Sequence, residues 1–437
     1  MRAAGTDDER FGRELRRLRE QAGLTQVQLA TRLGYSHTYV SKLESGARVP
    51  RIAFAGGADE LLGAGGSLVT LATNARARRQ DECEQPVGVP LPRPPALAET
   101  VYPQPPRQFR LPAYGVICPV HGTDGCTVAT AADGLAGMVG GELQSVGTDA
   151  VHVLAAMLVV AIEADLQGRG GEFLAPLEQT LRATMALLPK APESMATVLL
   201  RLAARYADRA AWLRVDRGQR ALGMAWLHRS VEWAAASRDH AAACSTLSSM
   251  SSLALLERDG ATAVAYAQAA AAVKGRRRWI AVQAGLGELR GLALLGDRQQ
   301  VARMSGDVQR AAERLGDSDR FEAPWLFDAE GATYLASHFA GAMRDLAEAT
   351  EDPASARRAV TFAESALANL PAGMPSSRLM LTLRLADSHA CGGAVDAAVD
   401  LARPVLSAAR AAGSVLVDNE LDRLRLRLGT QREDLRA

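Results

Sequence analysis

Apolar residues recur at three- and four-residue spacing through most of the chain, the period of an amphipathic helix. In DERFGRELRRLREQA, residues 8–22, Phe11, Leu15 and Leu18 share one helical face and the arginines take the others. Gly23 stops that helix, as a glycine past the last turn commonly does. Thr25 caps a second helix, QVQLATRL, which Gly34 ends; Ser36 caps a third through Leu43, and Gly46 closes it. Three short helices in about 40 residues, the last two joined by a tight glycine turn, match a helix-turn-helix. The next stretch, AFAGGADELLGAGGSLVTLA, continues as helix with Ala53, Phe54, Leu61 and Leu62 as its core face. Gly56 and Gly57 cost it about 1 kcal/mol each relative to Ala.

The same period returns from about Leu143 to Gly429, as a train of apolar helical segments separated by short breaks: Arg217-Gly218, Asp259-Gly260, Gly296-Asp297, Gly316-Asp317 and Gly392-Gly393. Paired helices with short turns, alanines at close-packing positions and a spacing near 34–40 residues predict helical repeats. Residues 378–413 display the unit: a helix with Leu381, Leu385 and Ala386, a Gly-Gly turn, then a helix with Val395, Ala398, Ala402 and Leu406. Pro404 falls inside the second helix and should kink it. Residues 211–234 and 284–315 have the same character.

Between these blocks the pattern lapses. Residues 84–113 hold nine of the 19 prolines, including PLPRPP and PQPPR, which excludes helix and sheet and predicts a semi-extended spacer. The expected organisation is all-α: a helix-turn-helix domain over 1–80, a Pro-rich linker over 81–113, a turn-rich connector over 114–142 and an α-solenoid over 143–437.

Charge sharpens this division. The chain carries only +1 net, but residues 1–80 carry +5 and the remainder −4, so the N-terminal block is the part suited to a polyanion. No apolar leader follows Met1, and the most apolar run, Ala150 to Ile162, is shorter than the ~20 residues a membrane helix needs. Five scattered cysteines suit a reducing cytoplasm better than a disulfide framework. Cys118-x2-His121-x4-Cys126 has the spacing of half a zinc site. No second Cys/His pair lies nearby, and His152 or Cys83 reaches it only through the fold. The expectation is therefore a short turn-rich segment or small hairpin with two buried thiols, without metal or other cofactor.

The stretch LRRLREQAGLTQVQLATRLGYSHTYVSKLESGARVP resembles the DNA-binding domain shared by lambda-type repressors and xenobiotic-response-element regulators, over roughly residues 10–62. Leu15, Leu18, Gly23 to Gln26, Leu29-Ala30, Gly34, Val40, Leu43, Glu44 and Gly46 carry the likeness. The resemblance implies a third helix lying in the major groove of a duplex. With Val40 and Leu43 inward, His37, Thr38, Ser41 and Lys42 face base edges, Lys42 equally able to meet a phosphate, and Tyr39 stacks on a sugar or meets a thymine methyl. Gln26 and Arg48, and more weakly Arg51, match positions that grip phosphate and set register. Arg19 and Glu44 match a pair that ties the first helix to the end of the third.

The repeats resemble degenerate tetratricopeptide repeats. The last segment, GSVLVDNELDRLRLRLG, resembles the closing helix of actinobacterial regulators built this way, capping the exposed apolar end of the solenoid. The implied function is a cytoplasmic, sequence-specific transcriptional regulator that binds double-stranded DNA, as a homodimer on a palindromic operator. Its repeat domain senses a peptide or small-molecule effector or, alternatively, serves as a constitutive docking scaffold. All five tryptophans lie in the body, where core packing is their expected role. No phosphate-binding glycine loop, HExxH or G-x-S-x-G occurs, so no enzymatic activity is expected. Asp387, Ser388 and His389 are expected to be structural.

Overall fold

The computed structural model describes residues 7–46, 50, 52–72, 108–122, 124–129, 147–273 and 277–429. The chain divides into two compact units, Met1–Pro94 and Pro95–Ala437. Apart from one two-stranded hairpin the described residues are all-α.

The first unit comprises α1 (Asp7–Gln21), α2 (Gln26–Leu33), α3 (His37–Glu44) and α4 (Ile52–Leu62), followed by a helical stretch over residues 67–72. Phe11, Leu15, Leu29, Val40, Leu43, Phe54 and Leu68 are fully buried and form its core. Helix α4 runs straight through Gly56-Gly57, but its inner face differs from the expected one. Phe54, Ala55 and Ala58 are buried, whereas Leu61 is 38% exposed and Leu62 half-buried; the side chain of Ala53 lies outside the described residues. Buried Asp59 accepts the backbone N–H of Gly66 and of Val69, both at 2.7 Å, and so caps the following turn.

The second unit opens with β1 (Gln108–Leu111) and β2 (Cys126–Ala129), paired antiparallel with Leu111 opposite Cys126. This corrects the expectation that residues 84–113 exclude sheet: Gln-Phe-Arg-Leu is a proline-free interval between Pro106 and Pro112, and its four residues suffice for a strand. The helices α5 (Thr148–Leu166), α6 (Leu174–Leu187), α7 (Glu193–Val215), α8 (Arg220–Ala236), α9 (His240–Leu256), α10 (Gly260–Ala271), α11 (Arg278–Leu294) and α12 (Arg298–Ala312) follow. Then come α13 (Asp317–Glu322), α14 (Asp328–Thr350), α15 (Pro353–Asn369), α16 (Pro375–Cys391), α17 (Val395–Ala402), α18 (Leu406–Ala411) and α19 (Val415–Leu428).

From α7 to α17 most successive helices pack on their neighbours, as a helical stack requires. The turns that fold them back share one grammar. A residue in the left-handed region ends the helix, and an aspartate then caps the next: Arg238 before Asp239, Arg258 before Asp259, Gly296 before Asp297, Glu351 before Asp352. At 259–260 the left-handed residue is thus Arg258. Gly260 begins the next helix instead, where a Cβ would lie 2.7 Å from the Gly291 carbonyl oxygen, so glycine lets the two helices touch. Pro404 interrupts its helix, leaving a 3-10 turn at Arg403–Val405 between α17 and α18.

The closing helix α19 does more than cover the end of the stack. Its first N–H, on Val415, donates to Asp216 at 2.7 Å, and Asn419 donates to the carbonyl oxygen of Leu256 at 3.3 Å. Its apolar side, Val417, Leu421, Leu424 and Leu428, packs with α16 and α17. The helix therefore lies along the stack from α7 to α16. Its apolar residues alternate with charges, so only part of its face reads as an end cap.

Candidate nucleic-acid interface

The recognition segment is assembled by caps. Thr25 Oγ1 accepts the N–H of Gln28 at 3.2 Å while Gln28 Oε1 accepts the N–H of Thr25 at 2.9 Å, a reciprocal capping box that starts α2. Gly34 ends α2 at φ 72°, which a side chain rarely adopts, and Ser36 Oγ accepts the N–H of Tyr39 at 3.2 Å to start α3. Helix α1 crosses the end of α3 at Gly12, where a Cβ would lie 2.4 Å from the Leu43 carbonyl oxygen. No sequence signal singled out Gly12; its role appears only once the crossing is seen.

An ion pair locks that crossing. Arg19 Nε and Nη2 donate to Glu44 Oε1 and Oε2 at 2.5 and 2.9 Å, and Nη1 donates to the Leu24 carbonyl oxygen at 2.8 Å. Both side chains are nearly enclosed, so the pair is a desolvated, bidentate anchor. Glu44 holds the guanidinium more firmly charged than usual. Gln26 belongs to the same anchor: its Nε2 donates to Glu44 Oε2 at 2.8 Å. One of its two amide N–H groups is thus engaged within the protein, and the phosphate grip expected at that position is left to the other.

With α3 so held, His37, Thr38 and Lys42 are exposed and Ser41 is half-buried. Tyr39 is not with them. It is 7% exposed, stacked on Tyr35 at 5.1 Å and edge-on to Phe54 at 5.3 Å. The expected contact of Tyr39 with DNA is corrected accordingly. Tyr39 stands four residues before Leu43 and beside Val40, and so completes the inward stripe of α3. Arg48 and Arg51 lie outside the described residues.

In the second unit the structure joins residues that the sequence leaves apart. Cys118, His121 and Cys126 of the hairpin meet His152 of α5, with one donor atom of each within 4.8 Å of the others. The expectation of a metal-free segment rested on a missing fourth ligand, and that premise is corrected: β2 and α5 bring His152 to the cluster. Asp387 and Ser388 are fully buried, Asp387 in ion pairs and Ser388 donating to the Arg384 carbonyl oxygen at 2.7 Å. A cavity of about 630 Å³ is bordered by Trp212, Trp325, Tyr334, Asp208, Ser248 and the start of α19. Asp208 Oδ1 and Ser248 Oγ are enclosed there without a hydrogen-bond partner among the described residues.

Residues 10–72 match the family of helix-turn-helix domains. Comparison with curated proteins and with solved structures returns no match to the chain. No helix among the described residues is long and apolar enough to cross a membrane. The first unit is a helix-turn-helix domain, and this supports a DNA-binding regulator.

Proposed function

We propose that the chain is a sequence-specific transcriptional regulator of the xenobiotic-response-element kind, in which α3 enters the major groove of double-stranded DNA. The observation that carries this is the split of α3 into a buried stripe of Tyr39, Val40 and Leu43 and an exposed polar edge of His37, Thr38 and Lys42. The edge supplies donors and acceptors for base edges, with Ser41 beside them, while Arg48 and Arg51 hold phosphates. One helix reads few base pairs, so a homodimer on a palindromic operator is the reading that geometry favours. The protein works in the cytoplasm and catalyses no reaction.

The tetratricopeptide-like body senses an effector. The enclosed, unpartnered oxygens of Asp208 and Ser248 favour a small polar ligand or peptide that donates hydrogen bonds. Burial also pushes the Asp216 carboxyl at the cavity edge up to about 6. The rival reading, a constitutive docking scaffold, predicts no gain in thermal stability when the protein is heated with metabolite or peptide pools; a sensor gains it.

The test of the reader is selection of bound duplexes from a random pool, followed by titration. Replacing His37, Thr38 and Lys42 together with Ala should equalise affinity for selected and random DNA while the helical content stays. Retained preference in that variant would assign base reading elsewhere. Arg48→Ala should weaken binding to all duplexes and lower the salt slope by about one.

A further inference from the structure

The hairpin that opens the second unit is built around the cluster of Cys118, His121, Cys126 and His152. Cys118 Sγ lies 3.3 Å from His121 Nδ1, His121 Nδ1 lies 3.4 Å from His152 Nε2, and His152 Nε2 lies 3.9 Å from Cys126 Sγ. A tetrahedral zinc ion with Zn–S near 2.3 Å and Zn–N near 2.0–2.1 Å separates its ligand atoms by about 3.3–3.8 Å. These three separations fall in or next to that range, and all four donor atoms lie within 4.8 Å of one another.

The surrounding backbone is shaped for the same purpose. The N–H of His121 points at Cys118 Sγ at 3.5 Å, an arrangement that favours a thiolate, and Gly122 closes the turn with its N–H on the Cys118 carbonyl oxygen at 2.8 Å. Gly122 (φ 64°) and Gly125 (φ 76°) both take left-handed conformations. A Cβ on Gly125 would also lie 2.7 Å from the Leu111 carbonyl oxygen, so glycine is required where the chain turns into Cys126. His152 sits in the most apolar helical stretch of the chain, flanked by buried Val151 and Val153. Its imidazole is costly there unless bonded, and its Nε2 faces the other donors of the cluster.

We propose that Cys118, His121, Cys126 and His152 bind one structural zinc ion. Two thiolates and two imidazoles suit zinc among the divalent metals, and four protein ligands leave no open position for catalysis. On binding, the two thiols release their protons to water and the sulfurs become ligands. The ion cross-links the turn at Cys118, the start of β2 and the second turn of α5, fixing to the stack the hairpin through which the chain enters it. This inference stands whether or not the first unit reads DNA.

The test is metal analysis of the full chain, produced with zinc supplied and purified without chelator. Close to one zinc per chain is expected, released by an organomercurial. Cobalt(II) added to the metal-stripped protein should give the visible bands of a tetrahedral thiolate site. Cys126→Ser, His152→Ala and His121→Ala should each drop the zinc content several-fold, whereas Cys244→Ser and Cys391→Ser should retain it. His121 is exposed, so His121→Ala is the variant least prone to misfolding, and its tryptophan emission checks that the body is intact. A wild-type chain that holds neither zinc nor cobalt overturns the assignment. So does a His121→Ala, His152→Ala double variant with undiminished zinc, or a Cys118–Cys126 disulfide in the mass of the unreduced protein.

Discussion

Each unit hides charge, but the two do so on different scales. In the reader one carboxylate, Glu44, gathers Arg19 and Gln26 from helices close in sequence. In the body Glu420 of α19 accepts from Arg384 at 2.6 and 2.8 Å and pairs with Arg344, which is fully buried. Around it Asp387 meets Arg427 at 2.6 Å, Asp345 meets Arg423 at 2.7 Å and Arg290 at 3.0 Å, and Glu348 meets Arg423 at 2.8 Å. The reader's anchor fixes the angle of one helix; the body's network specifies where the last helix lies on helices laid down long before it. A desolvated network earns little net stability over apolar packing, but removing one member leaves the others uncompensated. The comparison therefore sets two supports for α19 side by side, a polar registry and an apolar side, which single substitutions can separate.

The largest expected effect breaks the body's side of this comparison. Glu420→Gln leaves Arg344 and Arg384 without their shared carboxylate and should cost about 3–5 kcal/mol. All five tryptophans are in the body, so its unfolding is followed by their emission in denaturant without signal from the reader. The midpoint should fall steeply in Glu420→Gln. An unchanged midpoint would mean that α19 is held by its apolar side and its other polar contacts without help from Glu420.

The matching experiment on the reader should be nearly as large but should appear in a different signal. Glu44→Ala strands Arg19 in an enclosed site and frees Gln26, costing about 3 kcal/mol in a small domain. DNA affinity should collapse while the tryptophan transition of the body keeps its midpoint. If the tryptophan midpoint moves as well, the two anchors do not act separately.

The sequence discloses these two regions unequally. The reader is legible because its signals are local: Thr25 with Gln28, Ser36 with Tyr39, and Gly34 all act within four residues. Tyr39 escapes because a tyrosine beside polar neighbours reads as surface until its i, i+4 relation to Leu43 is weighed, and Gln26 because its partner Glu44 is 18 residues away. In the body the turns announce the helical stack, and the last segment, with RLRLRL, reads as a cap on its exposed apolar end. Nothing in it tells that Arg423 and Arg427 reach Glu348, 75 and 79 residues back. His152 is hidden for the same reason, lying 26 residues beyond Cys126 and out of reach until the hairpin folds against α5.

The smallest effect sharpens the contrast through pH. His338 of α14 lies beside this network, its ring 4.6 Å from Tyr334 and its Nδ1 enclosed without a partner among the described residues. Burial, with Arg290 and Arg384 nearby, pushes its pKa from 6.5 down to about 3. A base whose folded pKa is depressed stays neutral while the unfolded chain takes up a proton. Its contribution is complete above pH 6.5 and is lost as pH falls toward 3, by at most about 1.4 kcal/mol per unit. Asp216 acts oppositely: its pKa is raised from 3.8 to about 6, so the stability it lends at low pH is lost as pH rises through that window. The two slopes partly cancel in the native chain. His338→Gln removes one of them, so the tryptophan midpoint of the variant, measured from pH 7 down to about 4.5, should hold or rise relative to the wild type as the solution becomes more acidic. Parallel curves for the two proteins would mean that the imidazole at 338 charges freely in the folded body, and that the interior beside Arg290 and Arg384 is wetter than the enclosed pair in the reader.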